Sequence, residues 1–209
     1  MLFKETVSDS TLALLKQLME DAFFHSFRLV GGTALSLQIG HRISIDLDLF
    51  SEKTFEESEV ADYLRQNYSF ELDFMDKETI KGEIEGVKID CIAHKYHWLN
   101  TFSQEEGIRL AGLDDIAAMK LNAIAGNGTR IKDFIDIACL SDKRSLKQML
   151  EAYHKKYASN PVLPLKALTF FDDINFSEPI KMTGTTKFDW KKTAKRLNAM
   201  LKYPDKIFE

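Results

Sequence analysis

Cysteine and proline are scarce in this chain, which has two cysteines and four prolines among 209 residues. Cys91 and Cys139 both lie in apolar runs and lack the spacing of metal ligands, so we predict buried free thiols rather than a disulfide framework or a zinc site. Free thiols are typical of a reducing compartment, and we therefore expect a cytoplasmic protein. The sequence has no internal repeat and no low-complexity tract, which argues against repeat and fibrous architectures.

Long hydrophobic runs are absent as well. No run reaches the ~18 apolar residues of a membrane span. Residues 1–10 do not show the basic-then-apolar order of a secretion signal, and we expect no membrane partner. A chain of 209 residues can bury a substantial core as one domain, or as one domain with a helical appendage.

Charge is unevenly distributed along the chain, although the formal net charge is only −4. Residues 44–90 carry fourteen acidic and five basic side chains, whereas residues 187–206 carry seven basic and two acidic ones. An acidic segment followed by a basic one suits an enzyme whose second substrate is a polyanion. A basic helix that simply faces solvent explains the second segment equally well.

The spacing of apolar residues predicts strands in the first half and helices in the second. In the first half we predict helices over residues 8–24, 34–39 and 55–67, and strands over 27–30, 43–50, 70–74, 79–85 and 87–94. Residues 96–104 connect to a part in which the strand-like alternation disappears. There we predict helices over residues 112–126, 130–140, 143–156 and 190–201.

Two glycines and a threonine follow the first predicted strand. Gly31 and Gly32 end the apolar run 27–30, and Thr33 is a suitable N-cap for the helix over residues 34–39. A glycine pair lets backbone N–H groups approach a ligand closely, and a helix N-terminus favours anions. We predict that Gly31, Gly32 and Thr33 form a phosphate cradle.

Two aspartates share one face of the next predicted strand. Apolar and polar side chains alternate over residues 44–50, which puts Asp46 and Asp48 on the same face, roughly 7 Å apart at the backbone. Such a pair can bind one or two Mg²⁺ (or Mn²⁺) ions, with substrate phosphates completing the coordination. Either motif alone is commonly a turn or a solvated strand face. Their order and spacing together favour a site for a nucleoside triphosphate.

Three stretches resemble a known family. Residues 30–50, VGGTALSLQIGHRISIDLDLF, resemble the first motif of the DNA polymerase β nucleotidyltransferase superfamily, in which Gly-Gly or Gly-Ser precedes Asp-x-Asp. More narrowly they resemble the AbiEii/AbiGii nucleotidyltransferase-like toxins of type IV abortive-infection systems, in which GGTAL…GHR.S.DLD is typical. Residues 113–140, LDDIAAMKLNAIAGNGTRIKDFIDIACL, resemble the KL.A…R…KD..DL block of the same family, and residues 167–174 resemble a later block.

The resemblance assigns roles to three further residues. It implies that Asp90 is the third metal-binding carboxylate beside Asp46 and Asp48, that Lys120 contributes to nucleotide handling, and that Asp133 belongs to the active site. From its own strand pattern, Asp90 would more often face solvent. Lys120 lies among apolar neighbours, so it either extends its amine to solvent or points at an anion.

A further acidic residue lies on the same predicted helix as Asp133. Asp136 is four residues from Lys132, and we predict an i,i+4 pair between them on the polar side of the helix over residues 130–140.

The implied fold is an α/β (α+β) polymerase-β-like nucleotidyltransferase core with a small mixed sheet over residues 1–105, followed by a helical C-terminal lobe over residues 106–209. The implied function is transfer of a nucleoside monophosphate from an NTP to an RNA hydroxyl, at a tRNA 3′ end, by a toxin with a separately encoded antitoxin. The residues themselves leave open a small-molecule acceptor, as in antibiotic-modifying enzymes, a protein acceptor, and a nucleotide-binding regulator without turnover.

Overall fold

The computed structural model describes residues 1–100 and 103–208, so residues 101 and 102 of the predicted connection lie outside the described residues. The helices of this part are α1 Asp9–Glu20, α2 Gly31–Ile39, α3 Glu57–Tyr68, α4 Leu113–Gly126, α5 Ile131–Leu140, α6 Leu146–Tyr157, α7 Val162–Ala167 and α8 Trp190–Lys202. The strands are β1 Phe27–Leu29, β2 Leu47–Ser51, β3 Glu71–Asp76, β4 Thr79–Ile84, β5 Val87–Ala93, β6 Ser103–Glu105 and β7 Ile108–Leu110.

The strands form one mixed sheet in the order β3-β4-β5-β2-β1-β7-β6. β2 is parallel to β5 and β1 is parallel to β7, while the other neighbouring pairs are antiparallel. A mixed sheet flanked by helices confirms the predicted fold class. In the described part of the chain, no helix is both long and apolar enough to cross a membrane.

The two central strands β2 and β5 have one apolar and one mixed face. Leu47 and Leu49 on β2 and Ile89 and Cys91 on β5 are fully buried. Side chains of the intervening residues are half-buried and point to the opposite face, because successive strand residues alternate between faces. This second face carries Asp48, and it is the face on which the candidate site lies.

The helical half packs around α4. This helix contacts α2, α5, α6 and α7, and Ile116, Leu121 and Ile124 are among its buried residues. The next helices begin where their caps place them: the Ser145 hydroxyl and the Gln148 side chain form a capping box, so α6 starts after Ser145 rather than at residue 143.

The second strand begins later than predicted. Residues 43–46 are outside β2, because the Ile43 N–H donates to the Lys181 carbonyl (2.8 Å) and the Ser44 N–H donates to the Thr6 carbonyl (2.9 Å). Ile45 is 61% exposed, although the alternation predicted an inward-facing side chain. Asp46 therefore lies in a loop immediately before β2, while Asp48 lies within the strand.

The prediction that residues after 105 contain only helices was wrong. β7 pairs in parallel with β1, with Leu29 opposite Leu110, and β6 pairs with β7. Strands of three residues are too short to show a period of two, and the sheet contact itself stabilises them. The division at residue 105 stays a prediction, and β7 joins the sheet from beyond it.

Both cysteines are free thiols, as predicted. Cys91 is buried on β5, and burial raises the pKa of its thiol to about 12. Cys139 on α5 is only half-buried.

Candidate active site

A glycine allows a carboxylate to approach the start of α2. The Val30 N–H donates to the Asp48 carbonyl (2.9 Å), which ties the end of β1 to β2. Gly31 follows with φ +67°, and a Cβ there would lie 2.0 Å from Asp48 Oδ2. Any side chain at position 31 would therefore displace the Asp48 carboxylate. The first helical hydrogen bond runs from Ala34 to Val30, so the N–H groups of residues 31–33 have no partner within the helix.

The prediction that Thr33 is the N-cap of α2 was wrong. The helix begins at Gly31 with Val30 as its N-cap, and Thr33 is a buried residue of the first turn. The Thr33 hydroxyl donates to the Asp46 carbonyl and lies 2.9 Å from Ser44 Oγ. It thereby anchors the loop before β2. Because the Thr33 hydroxyl is already bonded, Thr33 can contact a phosphate in the predicted cradle only through its backbone N–H.

Three carboxylates lie close together on the mixed face of the sheet. Asp48 on β2 is directly opposite Asp90 on the parallel strand β5, and Asp46 precedes Asp48 by two residues. Burial raises the pKa of Asp48 to about 6, with Lys120 opposing the rise and with Asp90 and Asp46 adding to it. The folded protein therefore holds Asp48 among like charges.

Asp90 has a partner of its own. Its carboxylate forms an ion pair with Lys81 on β4, and it is not among the residues that line the cavity described below, whereas Asp46 and Asp48 are. Among residues 1–100 and 103–208, no three acidic, histidine or cysteine side chains are arranged to hold a metal ion. The structure thus brings Asp46 and Asp48 to the cavity and leaves Asp90 beside them.

The residues present fit a hard divalent cation through two carboxylates. Mg²⁺ in phosphate-transfer sites is commonly held by one or two carboxylates, with substrate phosphates and water completing its coordination. Asp46 and Asp48 supply such oxygens, and burial, with Asp90 and Asp46 adding to its effect, raises the pKa of Asp48, so a bound cation would favour its ionised form. Asp90 could join as a third ligand only after exchanging its ion pair with Lys81.

A buried ion-pair cluster, formed by His41, Arg42, Lys120, Asp133 and Asp136, lies behind the carboxylates. Arg42 donates to both Asp136 oxygens, at 2.7 and 2.9 Å, and Lys120 Nζ lies 2.8 Å from Asp136 Oδ2 and 2.6 Å from Asp133 Oδ1. His41 Nε2 lies 2.8 Å from Asp136 Oδ1. Although burial alone would raise the pKa of Asp136, Arg42 and Lys120 hold it well below its usual value.

The predicted Lys132–Asp136 pair was wrong. Asp136 is completely buried and pairs with the cluster, whereas Lys132 Nζ lies 3.3 Å from Glu178. The side of α5 that the sequence marks as polar faces the loop at residues 41–42 and α4, not solvent.

Lys120 connects the cluster with the carboxylates. It is only 8% exposed and lines the cavity together with Asp133. Burial opposes its ionisation, but Asp136 and Asp133 outweigh burial and raise its pKa. One oxygen of Asp133, Oδ2, is buried with no hydrogen-bond partner in the described part of the chain. That oxygen is available to accept a hydrogen bond from a ligand.

The cavity enclosed by these groups has a volume of about 480 Å³, within the range of small-molecule sites. Its basic lining includes Arg130, Lys132 and Lys181, none of which was predicted from the sequence to belong to the site. Arg42 and His41 were also missed. They lie in the GHR segment of the first motif, where neither period nor charge pattern indicates that they pair with a helix ninety residues away.

This fold and this site define a nucleotidyltransferase: a mixed sheet presents paired carboxylates to a helix N-terminus that begins with two glycines. The model of the family described as nucleotidyl transferase AbiEii toxin, Type IV TA system, matches residues 13–99 and 70–205. The chain therefore belongs to the AbiEii nucleotidyltransferase family, which confirms the resemblance.

One further relative is similar in sequence, and two solved structures are similar in fold. The uncharacterized protein aq_aa25 of Aquifex aeolicus (strain VF5) is 33% identical over 156 residues, covering 71% of this chain and 75% of that protein. Among solved structures, a putative nucleotidyltransferase from H. pylori superposes with a TM-score of 0.56 at 18% identity, covering 95% of this chain and 96% of that one. JHP933 from Helicobacter pylori gives a TM-score of 0.50 at 18% identity, covering 95% and 93%.

The ion-pair cluster yields a stability prediction. Asp136→Asn removes the charge that Arg42 and Lys120 share, and breaking a buried pair leaves uncompensated charge at a cost of about 3–5 kcal/mol. We expect the free energy of unfolding, measured by urea titration, to fall by that amount. Asp62→Asn, which alters an exposed carboxylate paired with Arg65, should change it by less than about 0.5 kcal/mol. An unchanged urea midpoint for Asp136→Asn would contradict the proposed importance of the cluster.

The carboxylates yield a pH prediction. Because the pKa of Asp48 is raised to about 6, its ionisation costs the folded state stability as pH rises from about 4 to 6, and this cost persists above pH 6. In metal-free buffer, Asp48→Asn should therefore be more stable than the unmodified protein by roughly 1–3 kcal/mol at pH 8 and equally stable near pH 4.

Asp142→Asn serves as the control, because Asp142 is a surface carboxylate paired with Arg196. Its effect on the free energy of unfolding should be small at both pH values. Equal stability of Asp48→Asn and the unmodified protein at pH 8 would show that the pKa of Asp48 is not raised in the folded protein.

Proposed function

We propose that this protein transfers a nucleoside monophosphate from an NTP to a hydroxyl of RNA, with Mg²⁺ or Mn²⁺ as cofactor, and that it acts as the toxin of a toxin–antitoxin pair. The observation that carries the proposal is the Asp48 carboxylate at Gly31, where a carboxylate pair meets an anion-binding helix N-terminus in one cavity. Carboxylates and phosphates repel each other, so carboxylates next to a phosphate site require a cation that offsets the negative charge.

Each residue has a role in this proposal. The backbone N–H groups of Gly31, Gly32 and Thr33 bind the β- and γ-phosphates. Asp46 and Asp48 would hold the divalent cation, and Asp90 would join them once it has exchanged its ion pair with Lys81. When bound, the cation supplies positive charge at the triphosphate and acidifies the attacking hydroxyl. These roles extend the family assignment to individual side chains.

The basic and acidic groups of the cavity wall orient the reactants. Lys120 offsets negative charge on the triphosphate while remaining paired with Asp133 and Asp136. The unpartnered oxygen of Asp133 accepts a hydrogen bond from a hydroxyl of the ribose or of the acceptor. The acceptor hydroxyl gives up its proton to a carboxylate of the site as its oxygen bonds to the α-phosphorus, and the bond from that phosphorus to the bridging oxygen breaks, so that pyrophosphate leaves. This reaction needs positioning and charge stabilisation more than covalent help from the protein.

RNA is the proposed acceptor because the chain carries a basic surface. Helix α8 buries Leu197 and Met200 and exposes Lys191, Lys192 and Lys195 on its other side. Such a face binds a phosphate backbone without reading sequence. The choice of the tRNA 3′ end comes from the family resemblance, as does the separately encoded antitoxin.

The activity is tested with α-labelled NTPs, total RNA and Mg²⁺. We expect label to enter the tRNA fraction, and EDTA to abolish the labelling. Asp46→Asn and Asp48→Asn should lower the rate by at least about a hundredfold, because charge stabilisation of the transition state is lost, while Asp142→Asn keeps the full rate. A normal rate in either site variant would show that the carboxylates are misassigned. Label in protein or small molecules instead of RNA would exclude the proposed acceptor.

The toxin role is tested separately, by inducing the gene in a bacterial host. We expect the unmodified protein to arrest growth, and Asp48→Asn at equal protein level to leave growth normal, because arrest depends on transfer. Growth arrest by both would point to a cause other than nucleotidyl transfer. Normal growth with both, when transfer to RNA is measurable in the same cells, would exclude the toxin role.

A further inference from the structure

Two chemically different groups of residues line the cavity. One comprises Gly31, Asp46 and Asp48, and the other comprises the aromatic side chains of Phe50, His94 and Tyr157. Phe50 follows Asp48 by two residues on β2, so the two side chains share a face and are roughly 7 Å apart at the backbone. A single ligand in this cavity can therefore contact both the charged group and the flat apolar group.

We call Phe50, His94 and Tyr157 the aromatic recess, and the His94 ring contacts both of the other rings. Its ring centroid lies 5.5 Å from that of Phe50 and 6.1 Å from that of Tyr157, which it meets nearly at a right angle. The centroid of the Trp98 ring lies 6.0 Å from that of His94, and Trp98 itself does not line the cavity. Ile116 and Met119 of α4 also line the cavity and add apolar surface.

His94 carries an unused polar atom in this apolar setting. Its Nε2 is buried and has no hydrogen-bond partner in the described part of the chain. Buried polar atoms are nearly always paired in folded proteins, and an exception usually indicates a missing ligand or water. A planar apolar recess with one in-plane hydrogen-bonding atom matches the chemistry of a nucleobase, which offers two flat faces and a polar edge.

The charge state of His94 agrees with this role. Burial, with Lys156 acting in the same direction, lowers its pKa to about 4, although Asp115 and Glu52 oppose this shift. Lys156 is fixed beside the recess, because its Nζ lies 2.8 Å from Asp115 Oδ1 and donates to the His97 carbonyl (3.1 Å). The imidazole is therefore neutral at physiological pH, with one nitrogen as donor and the other as acceptor.

We propose that Phe50, His94 and Tyr157 form the subsite for the base of the incoming nucleoside triphosphate, and that His94 Nε2 hydrogen-bonds the edge of that base and so determines which NTP is used. The proposal rests on the proposed function, since it assumes that the phosphates lie at Gly31. We assign the recess to the base of the donor nucleotide and not to a base of the acceptor, because the recess and the carboxylate pair line the same cavity.

The test compares binding of the four NTPs and of inorganic tripolyphosphate, by calorimetry with Mg²⁺ and without acceptor. His94→Phe removes the hydrogen-bonding atom and keeps an aromatic ring, and thermal melting checks that the recess is still packed. His97→Ala is the matched control, since the His97 side chain is fully exposed and does not line the cavity.

We expect the unmodified protein to bind one NTP at least about tenfold more tightly than tripolyphosphate and than the least favoured NTP. His94→Phe should weaken binding of the favoured NTP by about tenfold, bring the four NTPs within about threefold of one another, and leave tripolyphosphate binding unchanged. His97→Ala should match the unmodified protein in all five measurements.

Three outcomes would overturn the proposal. If the unmodified protein binds all four NTPs no better than tripolyphosphate, the base has no subsite, while the phosphate site of the proposed function stands. If His94→Phe keeps the original preference, or raises the KM for RNA without affecting NTP binding, His94 does not read the donor base. If neither tripolyphosphate nor any NTP binds, the proposed function itself fails, and the subsite fails with it.

Discussion

The buried carboxylate of Asp136 is the constraint on which the site depends. It binds the guanidinium of Arg42 through both oxygens and also contacts His41 and Lys120. These partners come from the loop before β2 and from α4, while Asp136 itself comes from α5. One carboxylate thus fixes the helical layer against the loop that carries Asp46. Removing these charged groups from water costs free energy. The ion pairs offset that cost only when all of the charged groups are paired with good geometry.

The cluster also explains how positive charge is kept next to the cavity without a substrate. Lys120 is held between two carboxylates and still lines the cavity, so its ammonium group does not have to be reoriented when an anion arrives. Preorganised charge of this kind stabilises a developing negative charge better than a mobile lysine does. Asp48, by contrast, is buried at the same wall near Asp90 and Asp46, and burial together with these carboxylates raises its pKa.

Local patterns in the sequence predicted the parts of the fold that local chemistry determines. The glycine pair, the alternation over residues 47–50, and the helical spacing of α4 and α5 all appear in the structure at nearly the predicted positions. They did so because turn geometry and amphipathic periodicity are encoded within a few residues. The family resemblance then supplied the superfamily fold, which periodicity alone did not define.

Long-range pairing accounts for what the sequence did not predict. Thr33 was expected to cap α2 but is buried against the Asp46 carbonyl, and Asp136 was expected at the surface but pairs with a residue 94 positions away. The strand β7 forms through pairing with β1 on one side and with β6 on the other. The roles of Asp90, Lys120 and Asp133 came from resemblance and stay predictions, and the structure shows two of them, Lys120 and Asp133, at the cavity wall.

The loop before β2 is held by hydrogen bonds to two segments that are distant from it in the sequence. Its Ser44 N–H bonds to Thr6, its Ile43 N–H bonds to Lys181, and the Thr183 hydroxyl donates to the His41 carbonyl at 3.2 Å. The residues that present Asp46 are therefore held by one segment near the start of the described chain, at Thr6, and by another at residues 181–183. A break in the chain that detaches residues 181–183 would remove these hydrogen bonds and loosen the loop that carries Asp46, while the sheet itself would remain. A fragment that contains the sheet but lacks residues 181–183 would therefore not hold Asp46 in place for catalysis.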